Sequence, residues 1–113
     1  MTTQRPDVTD EDLGIRTHKL RQAQAVQREI ERVRHGLKRE WASLTDREIE
    51  EFEWVLGELW AYASRDEWND LRFGHLQMID VRKILLFGRE LRKHSRNAVD
   101  VLNDIREVVA ARA

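Results

Sequence analysis

One local pattern recurs along this chain and limits what it can fold into: an apolar residue, a hydroxyl, two more positions, an acid, and an apolar residue again. Val8-Thr9-Asp10-Glu11-Asp12-Leu13 and Leu44-Thr45-Asp46-Arg47-Glu48-Ile49 share it, and Ala63-Ser64-Arg65-Asp66-Glu67-Trp68 is a looser third copy. The hydroxyl can accept from the free amide three residues on, and the acid at that position can reach back to the cap's own amide. The flanking apolar pair closes as a staple, and the acids suit the positive end of the helix dipole. These strings mark helix starts.

The rest of the chain agrees. The only proline is Pro6, so nothing after it carries the residue that most reliably interrupts helices. Charged residues make up 36% of the 113 residues, and β-branched or aromatic runs are scarce. That balance favours amphipathic helices over strands, and regular apolar positions separate it from a disordered composition. The predicted fold is all-α, a three- or four-helix bundle in one domain over residues 9–113 behind a flexible tail over 1–8.

The spacing predicts a long first helix over about 10–42. Ala23, Val26, Ile30, Val33, Leu37 and Leu44 form its heptad seam, with Trp41 beside the last turn and Gly36 as a candidate kink. A second helix is predicted over 46–63, where Ile49, Phe52, Leu56, Leu59 and Ala63 step by three and four. Trp54, Val55 and Trp60 widen that seam, so this helix should touch neighbours on more than one side. A third helix is predicted over 66–94 and a short fourth over 97–111, the two broken at Ser95-Arg96-Asn97 or running on as one.

Charge is sorted along the chain. Residues 14–44 carry a net of +5, residues 45–70 a net of −7 and residues 71–96 again +5, within a total of −1. This order suits an acidic helix packed between two basic ones. Such pairings stabilise little individually but penalise wrong neighbours.

Several chemistries are excluded. Without cysteine there are no disulfides, thiolate sites or thiol nucleophiles. Ile15, Arg32, Arg72 and Leu91 stand three before the four histidines, so the Glu-x-x-His pairs of di-iron bundles are missing, and no His-x-x-x-His pair exists. The five glycines are isolated and form no phosphate-binding loop. No metal or cofactor is expected. The start of the chain lacks an apolar stretch like a signal peptide, and Ile84-Leu85-Leu86-Phe87 is too short to span a bilayer, so a cytoplasmic protein of a bacterium or phage is expected.

Three surfaces remain as functional candidates. The first helix should reach roughly 50 Å against 27 Å for the second, leaving its stripe partly uncovered in a single chain. Val26, Ile30, Val33, Leu37 and Trp41 are therefore the expected interface of a homodimer. Glu50, Glu51, Trp54 and Glu58 offer an acidic face with an indole, suited to a basic protein partner or to imitating a nucleic-acid backbone. Trp60 is assigned to the core. Arg82, Lys83, Arg89, Arg92, Lys93 and Arg96 form a basic stretch able to neutralise phosphates, although a pI near 6.4 is low for a nucleic-acid module.

Arg89-Glu90-Leu91-Arg92-Lys93-His94 resembles the Arg-x4–6-His core of the HEPN ribonucleases, an all-α family of similar size whose members cut RNA across a dimer interface. The resemblance implies that Arg89 stabilises phosphate charge and that His94 acts as general acid or base. Glu90 departs from it, since the family usually has an uncharged polar residue after the Arg. With 16 arginines in the chain such pairings also arise by composition, and Arg28 with His35 makes a second. The sequence therefore favours a non-enzymatic interaction or assembly protein, self-associating and binding a protein partner. A nucleic-acid binder and a ribonuclease are the alternatives.

Overall fold

The computed structural model describes the backbone from Asp10 to Ala113 and side chains from Arg16 onward. The expected tail and the side chains of the first start pattern lie outside the described residues. The described chain is all-helical: α1 (Asp10–Leu37), a 3-10 segment (Lys38–Ser43), α2 (Asp46–Tyr62), α3 (Arg65–Asp70), a 3-10 turn (Phe73–His75), α4 (Met78–Lys93) and α5 (Ala98–Ala110).

Two of the start patterns close as expected. The Thr45 hydroxyl accepts from the Glu48 amide at 3.1 Å while the Glu48 carboxylate accepts from the Thr45 amide at 3.0 Å. Ser64 and Glu67 repeat the exchange at 3.1 and 3.3 Å and start α3. A further start was not anticipated. Asp80 accepts from the Gln77 amide at 2.7 Å, with Leu76 and Val81 as the flanking apolar pair.

The first helix ends earlier than its apolar spacing implies. Lys38 takes a left-handed φ of 56°, which stops α1 at Leu37 and tightens the next residues into a 3-10 segment. The helix predicted over 66–94 is three pieces. Leu71, Phe73 and Leu76 are all buried, and their spacing of two and three does not fit one helical face. The chain unwinds after Asp70 to insert Phe73 fully into the core, then restarts at Met78. The Phe73–His75 turn rests on α1, where the Gly74 carbonyl lies 2.6 Å from where a Cβ on Gly36 would sit. Gly36 is thus a point of close approach between α1 and the turn.

α4 and α5 are separate helices. His94 adopts a left-handed φ of 53°, the His94 amide donates to the Leu91 carbonyl at 3.4 Å, and the Ser95 amide donates to the Glu90 carbonyl at 3.3 Å. This is a Schellman stop. Asn97 then caps α5 by accepting from the Val99 amide at 2.9 Å.

α2 packs against α1, α4 and α5, so the acidic helix lies between the net-positive stretches 14–44 and 71–96. Val33, Phe52, Val55, Leu56, Leu59, Phe73, Val81, Ile84, Val101, Ile105 and Val109 are essentially without solvent contact. Each of the larger ones contributes about 1.5–3 kcal/mol by burial. No helix among the described residues is long and apolar enough to cross a membrane.

Candidate functional site

The expected interface stripe belongs to the core. Val26, Ile30, Val33 and Leu37 are 2%, 4%, 0% and 5% exposed, and Trp41 is half-buried against the same cluster. α2 and the Phe73–His75 turn cover what the lengths of the first two helices had implied would be left open. A second copy is not needed to bury these side chains.

The acidic face is a groove. Glu50, Glu53, Trp54, Gly57 and Glu58 share one face of α2, and Lys19, Gln22, Ala23 and Val26 share the facing side of α1. Together they line an open groove of about 600 Å³. Gln22 donates from Nε2 to the Gly57 carbonyl at 2.9 Å, which sets the spacing of the two helices. A Cβ on Gly57 would sit 3.2 Å from that nitrogen, so glycine permits the approach. Three carboxylates border the groove against one ammonium, while Ala23, Val26 and Trp54 make its floor apolar.

Trp54 is half-buried, packing on the core and reaching the groove. The Arg92 guanidinium lies 4.5 Å from its ring centroid, a cation–π contact that fixes the indole from the α4 side. Glu51 does not join the groove. It lies in the narrow crevice between α2 and α4 with Arg89 and Arg92, and is 3.4 Å from the Arg47 Nε. Glu53 completes the acidic stripe, three from Glu50 and four from Gly57. Lys19 and Gln22 were not anticipated as groove residues, since the α1 contribution depends on which face of α1 meets α2.

Trp60, expected in the core, is only partly buried. Its ring packs on His18 with centroids 5.0 Å apart.

The basic stretch of α4 is dispersed among different partners. Arg82 is paired with Glu48 at 3.0 Å, Arg92 covers Trp54, and Arg96 bridges Glu90 at 3.1 Å and Asp104 at 2.7 Å. Asp104 and Glu90 raise the Arg96 pKa and hold the guanidinium in place. Lys83, Arg89 and Lys93 are exposed, with Arg89 turned into the crevice beside Glu51. Arg89 and His94 share no hydrogen bond among the described residues, and His94 is the left-handed residue that ends α4. Among the described residues no group of three or more His, Asp or Glu side chains is arranged to hold a metal ion.

Two buried carboxylates have structural partners. Glu29 accepts from Arg32 at 2.7 and 3.1 Å, and Asp80 holds Arg112 at 2.8 Å in addition to capping α4. No protein-family model, curated protein or solved structure matches the chain.

Proposed function

We propose that this chain is a non-enzymatic helical interaction protein that captures a basic amphipathic helix of a partner protein in the groove between α1 and α2. The observation that carries the proposal is the groove's composition, with Glu50, Glu53 and Glu58 around an apolar floor of Ala23, Val26 and Trp54. A partner helix with Lys or Arg flanking an apolar stripe matches that arrangement in both shape and charge. The charges set approach and register, while burial against Trp54 supplies most of the affinity. The groove residues on α2 run from 50 to 58, roughly 12 Å, enough for two turns of a bound helix.

The proposal is tested with a labelled Leu/Lys amphipathic peptide, read by anisotropy at low and moderate salt. Glu50 and Glu58 are exposed, so Glu50→Lys with Glu58→Lys should keep the fold while weakening binding about tenfold. Equal affinity for both proteins, or no binding at low salt, would remove the groove as the site.

Self-association remains part of the proposal but moves to another surface. Ile79 and Leu86 stand seven residues apart on α4 and are 58% and 59% exposed, an apolar stripe for a second copy to cover.

A further inference from the structure

α1 borders a second cleft, opposite in charge to the acidic groove. His18, Arg21 and Arg28 of α1 face Arg65 of α3, with the indoles of Trp60 and Trp68 in the wall and a volume of about 610 Å³. None of the lining residues is acidic, in a chain with 21 Asp and Glu. Arg21, Arg28 and Arg65 form no ion pair among the described residues, whereas Arg32, Arg34, Arg47, Arg82, Arg96, Arg106 and Arg112 each hold a carboxylate. Glu67, close to Arg65 in sequence, is turned to Arg106 at 3.4 Å. Arg16, Arg39, Arg72, Arg89 and Arg92 also hold no carboxylate among the described residues, but in this cleft three unpaired guanidinium groups share a wall with two indoles and no acid lines it.

We propose that this cleft binds a nucleoside phosphate, either free or as a unit of a single strand. Guanidinium forks pair with phosphate oxygens in a planar, bidentate geometry that an ammonium does not provide. A base stacks on an indole whatever its identity, and a basic track beside aromatic platforms is the arrangement that holds single strands. Trp60 is the platform, because it is partly exposed, while Trp68 is 6% exposed and packs on Phe73 at 5.0 Å. Gln24 and Asn69 add amide groups able to meet sugar or base edges. The α1 residues of the cleft run from 18 to 28, roughly 15 Å, which favours more than one nucleotide. This site shares no residue with the basic stretch of α4.

The experiment uses the full chain with a labelled oligothymidylate strand, thymidine monophosphate and polyglutamate as probes. Anisotropy and tryptophan fluorescence are read at low salt and again at moderate salt. The strand should bind with a fall in tryptophan emission, and the affinity should weaken as salt rises. Arg21→Glu with Arg28→Glu replaces exposed side chains and should weaken binding at least about tenfold, while Glu50→Lys in the other groove should not weaken it. Trp60→Phe should remove most of the emission change. Competition by the mononucleotide at similar affinity assigns the site to free nucleotides, and binding of the strand alone assigns it to single strands. No binding of either probe, equal binding by the double arginine variant, or displacement of the strand by polyglutamate at the same affinity would each overturn the proposal.

Discussion

Gly88 lies where α4 meets α2, and a Cβ placed on it would collide with the Val55 side chain. In an isolated helix, alanine at such a position would gain about 1 kcal/mol over glycine. Here the contact should reverse the sign. Gly88→Ala is expected to lower stability by about 1–3 kcal/mol, because neither helix can move without disturbing a packed core. Val55→Ala in the same background should recover part of the loss by making room, although alone it leaves a cavity. Urea denaturation of the four proteins gives the coupling directly. Additive losses would mean that the two residues do not share the contact. This constraint was not legible beforehand, since an isolated glycine in an apolar stretch does not reveal what it will touch. Gly36 is the same case, drawing its meaning from a carbonyl 38 residues away at Gly74.

Helix starts were the most legible level, because a cap and its acid are three residues apart and need no tertiary partner. Thr45 with Glu48 and Ser64 with Glu67 closed as the pattern implied. Gln77 with Asp80 was missed because the pattern was tied to a hydroxyl, and the unwinding before it was missed because only the core determines where Phe73 goes. The α2 cap also makes a pH prediction. The Thr45 backbone amide, with smaller contributions from the Thr45 hydroxyl and Arg82, holds the Glu48 carboxyl below its ordinary value of 4.5. A carboxyl lowered in the folded state contributes stability that is fully present above the unfolded value and is lost as pH falls through the folded one. Glu48→Gln should therefore be less stable than the parent at neutral pH, and the gap should close from roughly pH 5 downward. Urea midpoints for both proteins across that range check this. A gap that stays constant as the acid protonates would mean that Glu48 acts through packing, not charge.

The whole molecule shows how charge order and helix length carry different amounts of information. The acidic α2 does lie against helices from the net-positive stretches 14–44 and 71–96, as the alternation of net charge along the chain implied. The long first helix suggested an uncovered stripe, but length alone does not say what a chain folds over it. The 3-10 turn at Phe73–His75, absent from any helical periodicity, closes against α1 and seals that side. This changes what substitutions there should do. Val33 is fully buried, so Val33→Asn should lower the unfolding midpoint sharply, by the cost of an unpaired amide in an apolar site, whatever the oligomeric state. The surface left for a second copy is the α4–α5 hairpin, which supplies Ile79, Leu86 and Val99 among the exposed large apolar side chains. A two-fold contact centred on α4 would bury little area by the standard of stable dimers, so association should be weak and grow with concentration. Light scattering behind size exclusion, over a wide concentration range, should show a rising mass for the parent and a constant monomer for Leu86→Glu. A parent that stays monomeric throughout, or a Leu86→Glu protein that associates equally well, would leave α4 without a role in assembly.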